Sequence, residues 1–417
     1  MNVLIKSATI IDAKSEFHNQ TLDVLIENGS ISEIGKSLKN PNNYTEIVLD
    51  NLHISQGWFD SSVSFGEPGF EDRETISNGL RTAAYSGFTT VAMNANSHPV
   101  IDSSSDVTFV SSRAANNAVK LLPLGALTRD SEGVDLAELY DMKTAGAVAF
   151  YDYKHAIGNA NLMKIALQYA ANFNGLVCSF PQDNKIAGKG VMNEHITSTT
   201  LGLKGIPALA EELQVARDLF LLEYTGSKLH IPTISTAKSV ALIREAKAKK
   251  LDITCSVAIH NLCLNDDVLT DFNTHYKVLP PLRIQSDIDA LIEGVKDGTI
   301  DMVTSDHNPL NIEEKKVEFD YAAYGTIGLE SAFGALQTVF TLKKTIEVLT
   351  QGKSRFGREN IAIKVGNPAD ITLFNPDTKY TFSASDITSK SKNAIFEGLN
   401  LKGKTYGIIN NNQLVLK

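Results

Sequence analysis

Residues 57–75 read GWFDSSVSFGEPGFEDRET. A short apolar run reaches Asp60, two serines follow at Ser62 and Ser64, and a Gly-Glu-Pro-Gly turn leads into a helical stretch. An apolar strand that stops at polar side chains and hands over to a helix is one βα unit, and the chain repeats it. Val/Ile-rich runs recur as HISQGWFD, FTTVAMN, VKLLPLGA, AVAFYD, GLVCSF, KLHIPTI, DITCSVAI and DMVTSD, with helix-length amphipathic segments between them. Eight such runs predict an α/β fold, a (β/α)8 TIM barrel, over residues 53–355.

The flanks have a different texture. VLIKSATIID and LDVLIENGSISEIG alternate as strands, with Asn28-Gly29 placed as a hairpin turn, and strand texture returns in IAIKVGNPADITLFNP and KGKTYGIINNNQLVLK. Residues 1–52 and 356–417 are therefore expected to join in one small β-sandwich beside the barrel. Within the barrel, Glu71, Asp72 and Glu74 are expected in the first turn of a helix carrying Ile76, Leu80 and Ala84, with Gly87 at its end. AKSVALIREAKAKKLD places Val240, Ile243 and Ala246 on one buried face.

Bulk properties remove several classes of function. The chain has 417 residues, 43% of them hydrophobic, and a net charge of −9 with no Lys/Arg-rich block, which argues against nucleic acid or an anionic membrane as partner. No window reaches the ~18 apolar residues of a membrane span, and the N-terminus has no cleavage-site pattern, so a cytoplasmic protein is expected. Cys178, Cys255 and Cys263 form no C-x-x-C and read as buried free thiols.

In a barrel of this kind the chemistry sits at the carboxyl ends of the strands. Those positions hold Asp60 to Ser64, Asn94 to Asn96, Asp152, Ser179 and Phe180, Thr233, Ile259 and His260, and Asp306 with His307. None of the nine histidines lies at an H-x-H or H-x3–5-H spacing, so a multi-histidine metal centre has no local support.

GEPGFEDRETI, GFTTVA, GVMNEHITSTTLGLKGIPALAEE, STAKSV, YKVLPPLR, DGTIDMVTSDHNP, YGTIGLES, GNPADITLFNP and SKSKNAIFEG occur in that order. With these segments the whole sequence resembles the dihydroorotases, zinc-dependent cyclic amidohydrolases that interconvert carbamoyl aspartate and dihydroorotate in pyrimidine synthesis. The resemblance implies a first strand ending Asp-x-His-x-His-x-Arg, where this chain has Asp60, Ser62, Ser64 and Gly66. The two further ligand histidines it implies fall on Phe180 and Thr233. The family's substrate asparagine in K-V-N-P-P-L-R is Leu279, and the proline of its A-P-x-G loop is Ala323. Asp306 keeps the position of the last metal ligand and general base, with His307 after it, and Asn96 matches a substrate-contacting asparagine. Asp152 stands at a double aspartate that supplies a metal-bridging carboxylate in some members.

These replacements bear directly on the chemistry. Metal binding lowers the pKa of water from about 15.7 to roughly 7, a ceiling on the order of 12 kcal/mol of nucleophile activation. Serine and threonine are poor zinc ligands, and Phe180 offers no donor atom. The expectation is a dihydroorotase-like protein without cofactor or catalysis, with Asp306 idle and Asn96 and His307 vestigial. The resemblance suggests aspartate carbamoyltransferase as its structural partner, and a homo-oligomer is expected. The competing expectation is an active cyclic amidohydrolase with a remodelled divalent site on Asp60, Asp152, Asp306 and His307, where oxygen ligands suit magnesium or manganese. A third is a sensor that binds a small acid through Asn96 and His307, weakened by the loss of the carboxylate-binding arginine at Gly66.

Overall fold

The computed structural model describes all 417 residues. In chain order the strands are β1 (Val3–Ile10), β2 (Thr21–Glu27), β3 (Ser30–Gly35), β4 (Thr45–Ile47), β5 (His53–Gln56), β6 (Trp58–Val63), β7 (Phe88–Met93), β8 (Lys120–Gly125), β9 (Ala149–Phe150), β10 (Val177–Cys178), β11 (Met192–Asn193), β12 (Gly205–Ile206), β13 (Leu229–Ile231), β14 (Ile253–Ala258), β15 (Met302–Thr304), β16 (Ile371–Thr381), β17 (Asn400–Asn410) and β18 (Gln413–Leu416). Strands β6 to β10 and β13 to β15 pair in parallel, each corresponding to one of the eight expected runs. The short pair β11 and β12 stands apart.

The barrel closes between its first and last strands. Asp60 does this chemically: its carboxylate accepts from the Thr304 hydroxyl and from the Ser305 amide at 2.9 Å. Val63 bridges to His307 in parallel register, and the Ser64 amide donates to the His307 carbonyl at 2.7 Å.

Both chain ends meet in the second domain as expected, in one mixed sheet ordered β18-β17-β16-β5-β1-β2-β3 with β4 on β1. Its own core holds sixteen buried residues, Ile5, Ile26 and Ile371 among them. Asn28 and Gly29, with φ of 50° and 78°, make the hairpin turn between β2 and β3.

Two details differ from the sequence expectation. HISQGWFD is two strands: His53–Gln56 pairs with β1 and β16 in the terminal sheet, and only Trp58 onward enters the barrel. The boundary therefore lies at Gly57 rather than after residue 52. Gly57 donates to the Asp370 carbonyl at 2.9 Å, and a Cβ there would lie 1.9 Å from the Asp370 carboxylate, so a side chain at the crossing would have to displace Asp370 and Thr89. The acidic run before Ile76 is not in a helical turn: the helix starts at Ile76, capped by Thr75, whose hydroxyl accepts from the Asn78 amide. Glu74 instead accepts from the amides of Thr75 and Lys390, both at 2.9 Å, tying the loop to the terminal segment. The helix Ala237–Ala248 buries Val240, Ile243 and Ala246 as expected.

Candidate functional site

The carboxyl ends of β6, β7 and β15 converge on a hydrogen-bonded set of polar side chains. Asn94 donates from Nδ2 to the hydroxyls of Ser62 (3.1 Å) and Ser64 (3.2 Å). Ser64 donates to Asn96 Oδ1 at 2.9 Å, and Ser62 donates to Asp306 Oδ1 at 3.3 Å. Tyr153 donates to the same carboxylate oxygen at 3.1 Å. The structure thus brings Ser62, Ser64, Asn96 and Asp306 together, as strand-end positions of a barrel should be.

The decisive contact comes from Lys154, a residue outside the strand-end positions named from the sequence. Lys154 places its Nζ 2.7 Å from Asp306 Oδ2, with side-chain exposures of 9% and 1% for the two partners. A buried ion pair with extra hydrogen bonds to the carboxylate is the arrangement in which desolvation is best offset. Lys154 lies in the loop after β9, two residues past Asp152, and its direction depends on φ of +58°, which the sequence does not reveal. Asp306 has φ of +48° and Thr233 φ of +53°, so the segments after three strands carry left-handed backbone at non-glycine residues.

Asp152 turns away from this network. Its carboxylate accepts from the amides of Leu127 (2.7 Å) and Thr128 (3.0 Å) and from the Thr128 hydroxyl, which tethers the loop after β8. Burial raises the pKa of Asp152 and of Asp60, against hydrogen bonds that lower both. Asp60, Asp152, Asp306 and His307 therefore do not form the four-residue cation site weighed above, and no group of three or more His, Cys, Asp or Glu side chains converges on a common point.

Apolar side chains take the remaining positions. Phe180 packs with Phe59, Tyr151, Tyr153 and Leu279 in one buried cluster. Thr233 is buried and its hydroxyl has no partner. His307 accepts at Nδ1 from the Gly328 and Leu329 amides (3.2 and 3.4 Å), leaving Nε2 unpartnered, and burial lowers its pKa to about 4. His260 is likewise buried, its pKa lowered to about 3 by burial and then by the Lys154 charge. At Gly66, φ is +72° and a Cβ would come within 2.5 Å of the Phe70 carbonyl oxygen, so this backbone leaves no room for a longer side chain. Ala323 donates its amide to Glu314 at 3.0 Å, which a proline could not do.

The sequence model of the "Dihydro-orotase-like" family matches residues 53–239. A "Dihydroorotase" of Pelotomaculum thermopropionicum is 42% identical across 100% of this chain and 99% of its own length. The chain belongs to the dihydroorotase family. A second relative under that name, from Geobacter metallireducens, is 38% identical over 100% of both chains. The fold is shared more widely: an L-hydantoinase (dihydropyrimidinase) from Arthrobacter aurescens superposes with a TM-score of 0.86 at 19% identity, covering 100% of this chain and 96% of that one.

For a dihydroorotase the donor set here does not fit zinc. Zinc takes imidazole, thiolate or carboxylate, and the implied ligand positions offer two hydroxyls engaged with Asn94, a phenyl ring and a threonine. The one carboxylate facing the site, Asp306, is already paired with the Lys154 ammonium.

Proposed function

We propose that this member of the dihydroorotase family holds no catalytic metal and acts as a structural partner in pyrimidine synthesis, with aspartate carbamoyltransferase as the partner. The observation that carries the reading is the Lys154 ammonium on Asp306 at 2.7 Å. A cation supplied by the chain neutralises the carboxylate that the resemblance assigns to metal and base. Ser62 and Tyr153 take up its other oxygen, so a water molecule held there would meet no free base.

A second reading is an active dihydroorotase with a rearranged centre. It is supported by full-length identity of 42% and 38% to relatives carrying that name. The two readings separate in one set of measurements on the purified full-length chain. Carbamoyl aspartate–dihydroorotate interconversion is assayed with zinc or manganese added, metal content is measured without chelators, and the chain is mixed with the carbamoyltransferase of the same organism for size-exclusion chromatography. No turnover, well under one ion per chain and a shared elution peak are expected. Turnover that follows the protein and is lost in Asp306→Ala would overturn the structural reading, and separate elution would remove the partner.

A further inference from the structure

The opposite end of the barrel carries a cavity of about 700 Å³, beneath the amino ends of β9, β10 and β13. Its floor is the turn Gln351–Phe356 that follows the last barrel helix, with Gly357 at φ +72° closing it. Phe356 inserts upward as a plug, its ring 5.3 Å from Phe59 and 5.7 Å from His230. The turn and the residues just after it set Arg355 and Arg358 on the cavity wall, which Lys143 and Lys228 also line.

No carboxylate lines this cavity, although the protein as a whole carries a net charge of −9. Arg355 is partly committed, donating to Asp252 and to the Leu229 carbonyl at 2.8 Å, but its Nε is buried without a partner. The Lys143, Lys228 and Arg358 side chains neither donate a hydrogen bond nor enter an ion pair within the chain. Lys143 is half-buried, and its pKa is lowered by burial and then by the charge of Lys228. Lys120 also feels the charge of Arg358, its pKa being lowered by burial and then by that guanidinium. Uncompensated like charges gathered in a concavity repel one another and are relieved by a bound anion.

We propose that this cavity binds an oligophosphate, the class comprising free di- and triphosphate and the phosphate chain of nucleotides. Its volume lies in the range of small-ligand sites, roughly 300–1,000 Å³, and far exceeds a single phosphate. Three unpaired cations call for a ligand with several negative charges. The guanidinium of Arg358 can grip two phosphate oxygens at once, while Lys143 and Lys228 act as point charges along the chain.

The test is calorimetric titration of the full-length chain with tripolyphosphate near physiological salt, beside sulfate, hexaglutamate and a nucleoside triphosphate. Lys228→Gln and Arg358→Gln alter side chains that hold nothing in the fold, and Lys238→Gln serves as a distant charge control; melting curves check that each variant folds. Saturable 1:1 binding of tripolyphosphate is expected, weakened about tenfold by each cavity substitution and about a hundredfold by the pair, with Lys238→Gln unchanged. Tighter binding of the nucleotide with the same variant dependence supports the site and assigns it a nucleotide; equal binding supports it for the free anion. The proposal is overturned by absence of binding, by affinity unchanged in the double variant, or by hexaglutamate binding as tightly, which would make the cavity a dock for an acidic peptide.

Discussion

At Thr233 a β-branched residue sits in left-handed backbone with a buried, unpartnered hydroxyl. Both features cost stability, and neither is offset by a hydrogen bond. Thr233→Gly, which accepts φ of +53° and removes the unpartnered hydroxyl, is expected to leave stability within about 1 kcal/mol of the wild type in urea unfolding, despite the loss of buried side-chain atoms. Lys154 and Asp306 define a second test. Removing the ammonium in Lys154→Met leaves a buried carboxylate unpaired and is expected to cost about 3 kcal/mol, whereas Lys154→Met with Asp306→Leu should recover most of that loss. A double-mutant cycle with no coupling would refute the ion pair. Single restorations fail for a related reason: Ser62→His should give no turnover, because Phe180 and Thr233 still supply no imidazole and Lys154 still pairs with Asp306. The serines, phenylalanine and threonine of the site were legible in the sequence by position, but Lys154 was not, because nothing in a single side chain tells where a left-handed residue will point.

The loops that follow β14 and β15 are pinned to each other by buried lysines. Lys315 donates to the carbonyls of Ala323 (2.9 Å), Gly325 (3.1 Å) and Lys277 (3.3 Å), and Lys277 donates to those of Phe319 (2.7 Å) and Asp320 (3.0 Å). Burial, followed by the charges of Lys277 and Lys154 and opposed by Glu314, lowers the pKa of Lys315 to about 7. The unfolded chain titrates this group near 10.5, so between about pH 7 and 10 the unfolded state binds more protons and stability rises with pH. The contribution has a ceiling of about 1.4 kcal/mol per pH unit. Unfolding free energies of the wild type and Lys315→Met, measured from pH 7 to 9.5, should diverge in slope, the variant being flatter; parallel curves would exclude the titration. At this scale the sequence located strands and helices by period. It misplaced the acidic run before Ile76 because Glu74 serves a loop, accepting from the adjacent Thr75 amide and from the Lys390 amide 316 residues away.

Trp58, the single tryptophan, is fully buried where the barrel floor meets the terminal sheet. Its ring lies 4.8 Å from Phe333 and 5.6 Å from Phe374, and one continuous core of 70 residues includes all three together with Leu401 and Ile408 of β17. Two domains that share a core should unfold as one unit. Tryptophan fluorescence and far-ultraviolet circular dichroism are therefore expected to give coincident urea transitions, and a separation of midpoints would mean the domains unfold independently. The sequence by itself determined the eight-stranded barrel, the terminal domain built from both ends, the family, and the absence of imidazole at four positions, since each is written in local period or in short ordered motifs. Only the tertiary structure decided what Asp60, Asp152 and Asp306 face, and where the unpaired cations gather. Those outcomes depend on side chains from distant strands, such as Lys154 and Asp306 at a separation of 152 residues, which meet only when the barrel closes.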